Sequence, residues 1–162
     1  MDNENRSLEQ IYRSALSGLY ARIRSNYNYI YSKFGDEGIK LIADMSREYG
    51  LTVAARARNK LSSADLISVA NYLMRIFETV SQSKNTVRLA EVNPTQVVIR
   101  VDECPLHFDN QEMCLAHTTM EKTVVEGLNA SLGYRIGKSI PHGDAYCEHI
   151  VEVKSADDSG GH

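Results

Sequence analysis

The residues able to do chemistry gather between Cys104 and His149 of this 162-residue chain. Cys114, His117 and Glu121 are spaced i, i+3 and i+7, which on a helix sets a thiol, an imidazole and a carboxyl along one face. Cys147 and His149 alternate with Val151 and Val153 on one side of a strand, and the valines mark that side as inward. If the helix crosses the sheet, Cys114 and Cys147 meet, with His117, Glu121, His142, Asp144 and His149 as neighbours. A thiolate beside an imidazole is a usable nucleophile, because the base draws the thiol down from its ordinary pKa of about 8.5. The same donors suit zinc, which accepts thiolate, imidazole and carboxylate together. Cys104-Pro105-Leu106-His107 offers two more donors, so the possible divalent-metal (zinc) set is Cys104, His107, Cys114, Cys147 and His149. Each cysteine taken alone also reads as a small buried hydrophobe.

Elsewhere, Arg47, Arg56, Arg58 and Lys60 form a basic run, which is either a solvated helix face or, through Arg56 or Arg58, an anchor for a substrate carboxylate. Tyr12, Tyr20, Tyr27, Tyr29 and Tyr31 recur along the first helical stretch and either line a pocket or pack in the core. The chain holds three cysteines and no CxxC pair. Reduced thiols are therefore expected, and a zinc ribbon or thioredoxin-type motif is excluded. A net charge of −3 with interleaved signs gives no surface for tracking nucleic acid. Composition is 43% hydrophobic and 24% charged, with no apolar run of bilayer length and a polar Met1-Asp2-Asn3-Glu4-Asn5 start. The reading is a cytoplasmic protein without a membrane segment.

Ser7-Leu8-Glu9-Gln10 is a capping box opening a first helix that Gly35 ends. A second helix starts near Asp36 with Ile39, Ile42, Met45 and Tyr49 inward, and Gly50 either stops or bends it. Ser62-Ser63-Ala64-Asp65 opens a third, carrying Leu66, Val69, Leu73, Phe77 and Val80. The period then becomes alternating, with a hairpin around Asn93-Pro94-Thr95. One helix from Asp109 to Ser131 follows, with Gly133 at its exit, and then strands Tyr134–Ile140 and Ala145–Val153 around a turn at Pro141-His142-Gly143-Asp144. The expected fold class is α+β: an N-terminal three-helix segment followed by a four-stranded antiparallel sheet with one crossover helix (ββαββ), in two layers. Residues 1–154 form one domain in this reading and 155–162 a disordered tail. Apolar surface on the first helix suggests a homodimer.

The segments Glu112-Met113-Cys114, Gly127-Leu128-Asn129 and Lys138-Ser139-Ile140-Pro141-His142-Gly143-Asp144-Ala145-Tyr146-Cys147 resemble the L-2-amino-thiazoline-4-carboxylate hydrolase family, the Gly-Asp-x-x-Cys turn being the best mark. Phe34-Gly35 and Glu48-Tyr49-Gly50 look like its N-terminal half. The ligand-binding domain of the 4-vinyl-reductase type is similar in the same skeleton. In its sensory members zinc is held by the helix Cys, the final Cys, and a Glu and Cys on the strand between, where this chain has Ile136 and Ser139. Keeping both thiols while losing those ligands fits a hydrolase. The resemblance implies hydrolytic opening of a C–N bond in a small carboxylate-bearing heterocycle, a cyclic amidine or thiazoline. Catalysis would fall to Cys114, His117, His142, Asp144 and Cys147, and substrate binding to Arg56, Arg58, Tyr27, Glu121 and Asn129. The alternative is a non-enzymatic small-ligand or metal-binding sensor domain.

Overall fold

In the computed structural model, which describes residues 6–81, 83 and 85–155, five α-helices and a four-stranded antiparallel sheet follow one another in an α+β order. Helix α1 runs Leu8–Phe34. Its capping box is closed, with the Gln10 amide donating to Ser7 Oγ at 3.2 Å and the Ser7 amide to Gln10 Oε1 at 2.9 Å. Gly35 takes φ +55° and passes the chain directly into α2, Asp36–Arg58, a conformation that glycine reaches without steric cost. Asp36 and Glu37 sit at the positive end of α2, and Arg56 and Arg58 at its negative end. Helix α3, Leu66–Val80, begins at Asp65, whose carboxylate accepts the Ser68 amide at 2.8 Å.

Strands β1 (Val87–Val92) and β2 (Gln96–Val101) pair around Asn93, whose side-chain oxygen takes the amides of Thr95 and Gln96 at 3.0 and 2.8 Å. The expected crossover helix is two helices, α4 (Gln111–His117) and α5 (Thr119–Leu128). The break at Thr118 has a local cause: the Thr118 and Thr119 hydroxyls both donate to the Leu115 carbonyl, at 3.1 and 3.3 Å, competing with the backbone ladder. The exit is at Asn129, and Gly133 lies inside β3, Leu132–Ile136. A loop with a 3-10 turn at Ile140–His142 leads to β4, Cys147–Val153. Strand order is β1-β2-β4-β3, so the last strand is central. Residues 156–162, most of the expected tail, lie outside the described residues.

Helices α3 and α5 cover one face of the sheet. Val69, Leu73 and Phe77 of α3 meet Val97, Ile99 and Val101 of β2, Cys147 and Val151 of β4, and Val124 and Val125 of α5. The other face is crossed by ion pairs such as Arg135–Glu152 at 2.9 Å. Helix α2 rests chiefly on α5 and α4 instead of on the sheet, so the arrangement is deeper than the two layers expected. Its buried face explains why: Gly38, Ile42, Ser46, Gly50, Ala54 and Ala57 are small, which lets two helix backbones approach closely. Met45 and Tyr49, expected inward, are exposed. Gly50 neither stops nor bends α2 into a second element.

A Cβ built on Gly50 would lie 2.8 Å from the Met120 carbonyl oxygen and 2.8 Å from Thr123 Cβ. Alanine has the better helix propensity by up to about 1 kcal/mol, yet the clash is with backbone and a branched carbon and should win. Gly50→Ala is expected to lower stability by about 1–3 kcal/mol in urea unfolding; an unchanged or raised midpoint would show that α2 and α5 can separate freely.

Candidate functional site

Helix α1 packs Leu16, Ile23 and Ile30 against the cluster around Ile42, Leu106 and Phe108, and polar contacts spaced along its length brace it further. The Tyr12 and Tyr20 hydroxyls donate to the carbonyls of Thr79 and Val80 at the end of α3, each at 2.5 Å. Arg24 donates to the Leu106 carbonyl at 2.8 Å. Tyr27 bonds His117 Nδ1 at 3.1 Å and stacks on Phe108, ring centres 5.7 Å apart. Beneath α1, between α2, α3 and the sheet, lies a cavity of about 520 Å3. Its walls are mostly hydrocarbon: Leu16, Leu19 and Ile23 from α1, Val53 from α2, Ile76 and Phe77 from α3, Val101 and Ile136 from the sheet. That size and lining suit a small or single-chain ligand.

Polar side chains enter this hydrocarbon surface from α4, α5 and the last strands. Cys114 and His117 line the cavity from α4, Glu121 from α5, and Cys147 and His149 from β4. Cys104 stands between the cavity and a second, outer hollow that His107 borders. Burial pushes the Cys114 thiol up to about 12, with the neighbouring Cys104 and Cys147 adding to it. Cys147 is likewise raised by burial, although the Ile140 amide donates to its sulfur at 3.3 Å. Buried thiols held in the protonated form are poor nucleophiles. His117 and His149 are each driven down to about 4 by burial, so both imidazoles are neutral. His149 Nδ1 and the Tyr134 hydroxyl pair at 2.6 Å.

Glu121 is buried at 5% exposure, and its Oε2 has no partner. Burial raises its carboxyl to about 7, only partly offset by its own backbone amide. Ser139, 2% exposed, also lines the cavity, and its side chain bears on the Cys114 thiol. Sequence reasoning placed Ser139 only as a missing strand ligand and did not see this role. No local signal marks it, because the Ser139 amide is fixed by the Asp144 carboxylate at 2.8 Å through a loop fold.

The other expected site residues disperse. His142 is exposed and faces Asp144 at 3.9 Å outside the cavity. Arg56 reaches the cavity rim, whereas Arg58 donates to the Gly127 carbonyl at 2.5 Å. Asn129 is occupied with the Ala64 carbonyl, at 2.8 Å, and with Ser131. Among the described residues no three of His, Cys, Asp and Glu stand together as a metal-binding group. The five possible zinc ligands are divided between the cavity and the outer hollow. No helix among the described residues is long and apolar enough to cross a membrane.

No family model and no curated protein matches the sequence. Among solved structures, a trafficking protein particle complex subunit 3 from Naegleria fowleri, crystallised covalently bound to palmitic acid, is 16% identical with a TM-score of 0.61. The match covers 90% of this chain and 97% of that one. This overturns the resemblance to the L-2-amino-thiazoline-4-carboxylate hydrolase family and to 4-vinyl-reductase-type domains. With it go the hydrolase and sensor readings and the small-molecule substrate. The shared Cys … Gly-Asp-x-x-Cys skeleton is a local pattern that a different protein also carries: here the turn fixes a loop and the two thiols are protonated wall atoms.

Two outcomes follow from the burial. A thiol reagent should modify Cys104 first, with Cys114 and Cys147 reacting only on unfolding; equal rates for all three would refute the buried assignment. The pH dependence has opposing parts. Glu121 is raised from 4.5 to about 7, so its contribution to stability is complete at low pH and is lost as pH rises through that window. The histidines, lowered from 6.5 to about 4, act the other way, and their contribution is lost as pH falls between those values. The stability difference between Glu121→Gln and the native chain should therefore grow from near zero at low pH to on the order of 3 kcal/mol above neutrality. A difference that is flat with pH would mean that the carboxyl is solvated. The chain shares the fold of a trafficking-particle subunit.

Proposed function

We propose that this chain is a non-catalytic subunit of a cytoplasmic protein assembly of the membrane-trafficking kind, which seats one long hydrocarbon chain of a lipid beneath α1 and meets partner proteins through its α1–α2 hairpin. The observation that carries this reading is the cavity: an apolar hollow roofed by a helix that stands on tyrosine and arginine hydrogen bonds. A hydrophobic core normally closes to near-crystalline density, so a hollow of this size with such walls supports an occupant. The fold likeness to a subunit that carries palmitic acid supports the same reading. The lipid is a resident of the fold, neither turned over nor sensed.

Support for partner proteins comes from the outer surface. Phe34 is 60% exposed at the hairpin turn, and Leu41 and Met45, one turn apart on α2, are 46% and 49% exposed. Apolar side chains neighbouring one another on exposed helices mark interaction sites. The partner is expected to present an apolar helix face of its own, since the flanking Asp44 and Arg47 are already paired at 3.4 Å.

Calorimetric titration with palmitate is expected to show one chain bound per protein, and Ile76→Trp, which fills the cavity, should abolish uptake while helicity is unchanged. Palmitate binding equally to both would exclude the cavity as the seat. Leu41→Asp with Met45→Asp should release partner chains that co-purify with the native protein, without changing palmitate uptake.

A further inference from the structure

The cavity has a polar wall that a plain hydrocarbon chain would leave unsatisfied. Glu121 on α5 lines it and holds a buried oxygen, Oε2, with no hydrogen-bond partner. A buried polar atom left unpaired costs about 1–3 kcal/mol, and more when it belongs to a charged group. That oxygen therefore points to a missing hydrogen-bond partner.

The groups around Glu121 narrow what that is. From α1 comes Tyr27, from β3 Tyr134 and from α4 Cys114, each of them acted on by the Glu121 carboxyl. His117 and His149 line the same cavity as neutral rings. No lysine or arginine contributes to the state of Glu121, whose proton is held by burial. Arg56 and Lys60 also line the cavity, but both are solvent-exposed, where charge is screened by water and salt. A buried carboxyl without a cation is complemented by a ligand that supplies one, together with N–H donors.

We infer that the cavity takes a long-chain primary amine, its hydrocarbon tail along the α1 and α3 walls and its ammonium group at Glu121 Oε2. The inference rests on the reading of the cavity as a chain-binding site and adds the head group to it. One N–H donates to the carboxylate; no covalent bond is made or broken.

The test is a calorimetric titration of the whole protein with dodecylamine, dodecanol and laurate, three twelve-carbon chains that differ only in the head. The amine is expected to bind at least about tenfold more tightly than either of the others, the size of one charge-assisted hydrogen bond. Glu121→Gln should bring the amine to the level of the alcohol and leave the alcohol unchanged. Laurate binding as tightly as the amine, or an amine preference that survives in Glu121→Gln, would overturn the inference while leaving the chain-binding site intact. Failure of all three to bind would overturn both.

Discussion

Everything about the site depends on how α1 is attached. Four polar contacts from Tyr12, Tyr20, Arg24 and Tyr27 reach carbonyls and an imidazole on the body of the domain. Each contributes a net stabilisation of about 1 kcal/mol, and each keeps a long side chain extended between helix and body. A helix seated by leucines alone would sink until the hollow closed. One that packs at Leu16, Ile23 and Ile30 and is braced by phenols and a guanidinium leaves a hollow beside that packing, walled by apolar residues.

The same construction explains why groups that look reactive are quiet. Cys114, Cys147, His117 and His149 line one cavity because α4 and β4 converge on it. The low-polarity surroundings that gather them also suppress their charged forms, holding thiols protonated and imidazoles neutral. Proximity in a dry place is not activation: a nucleophile needs a base or cation that burial has not itself disarmed. What persists is a set of hydrogen-bonding atoms embedded in hydrocarbon, which is the chemistry of recognition.

Much of the fold was legible in the residues. The capping box at Ser7, the helix start at Asp65, the turn at Asn93 and the change of period after α3 are local signals, and the structure follows them. The layering was less legible, because the small face of α2 is informative only once its neighbour α5 is known. The break at Thr118 rests on two hydroxyls competing for a single carbonyl, a choice that helical spacing does not register. At the site, the shared face of Cys114, His117 and Glu121 followed from spacing, and Cys147 and His149 from strand alternation. The cavity itself did not, since an apolar stripe on a helix reads identically whether it meets a core or a hollow. The family resemblance failed for a related reason: a short turn motif reports a loop geometry, and chemistry depends on the burial that long-range packing imposes.

The proposed occupant of this hollow is a single lipid chain. Native mass spectrometry of the protein isolated from its own source without detergent reads this out. A mass above that of the bare polypeptide by one single-chain lipid is expected, and it should be lost from the Ile76→Trp protein. A bare polypeptide mass for the native protein, unchanged by added lipid, would contradict it.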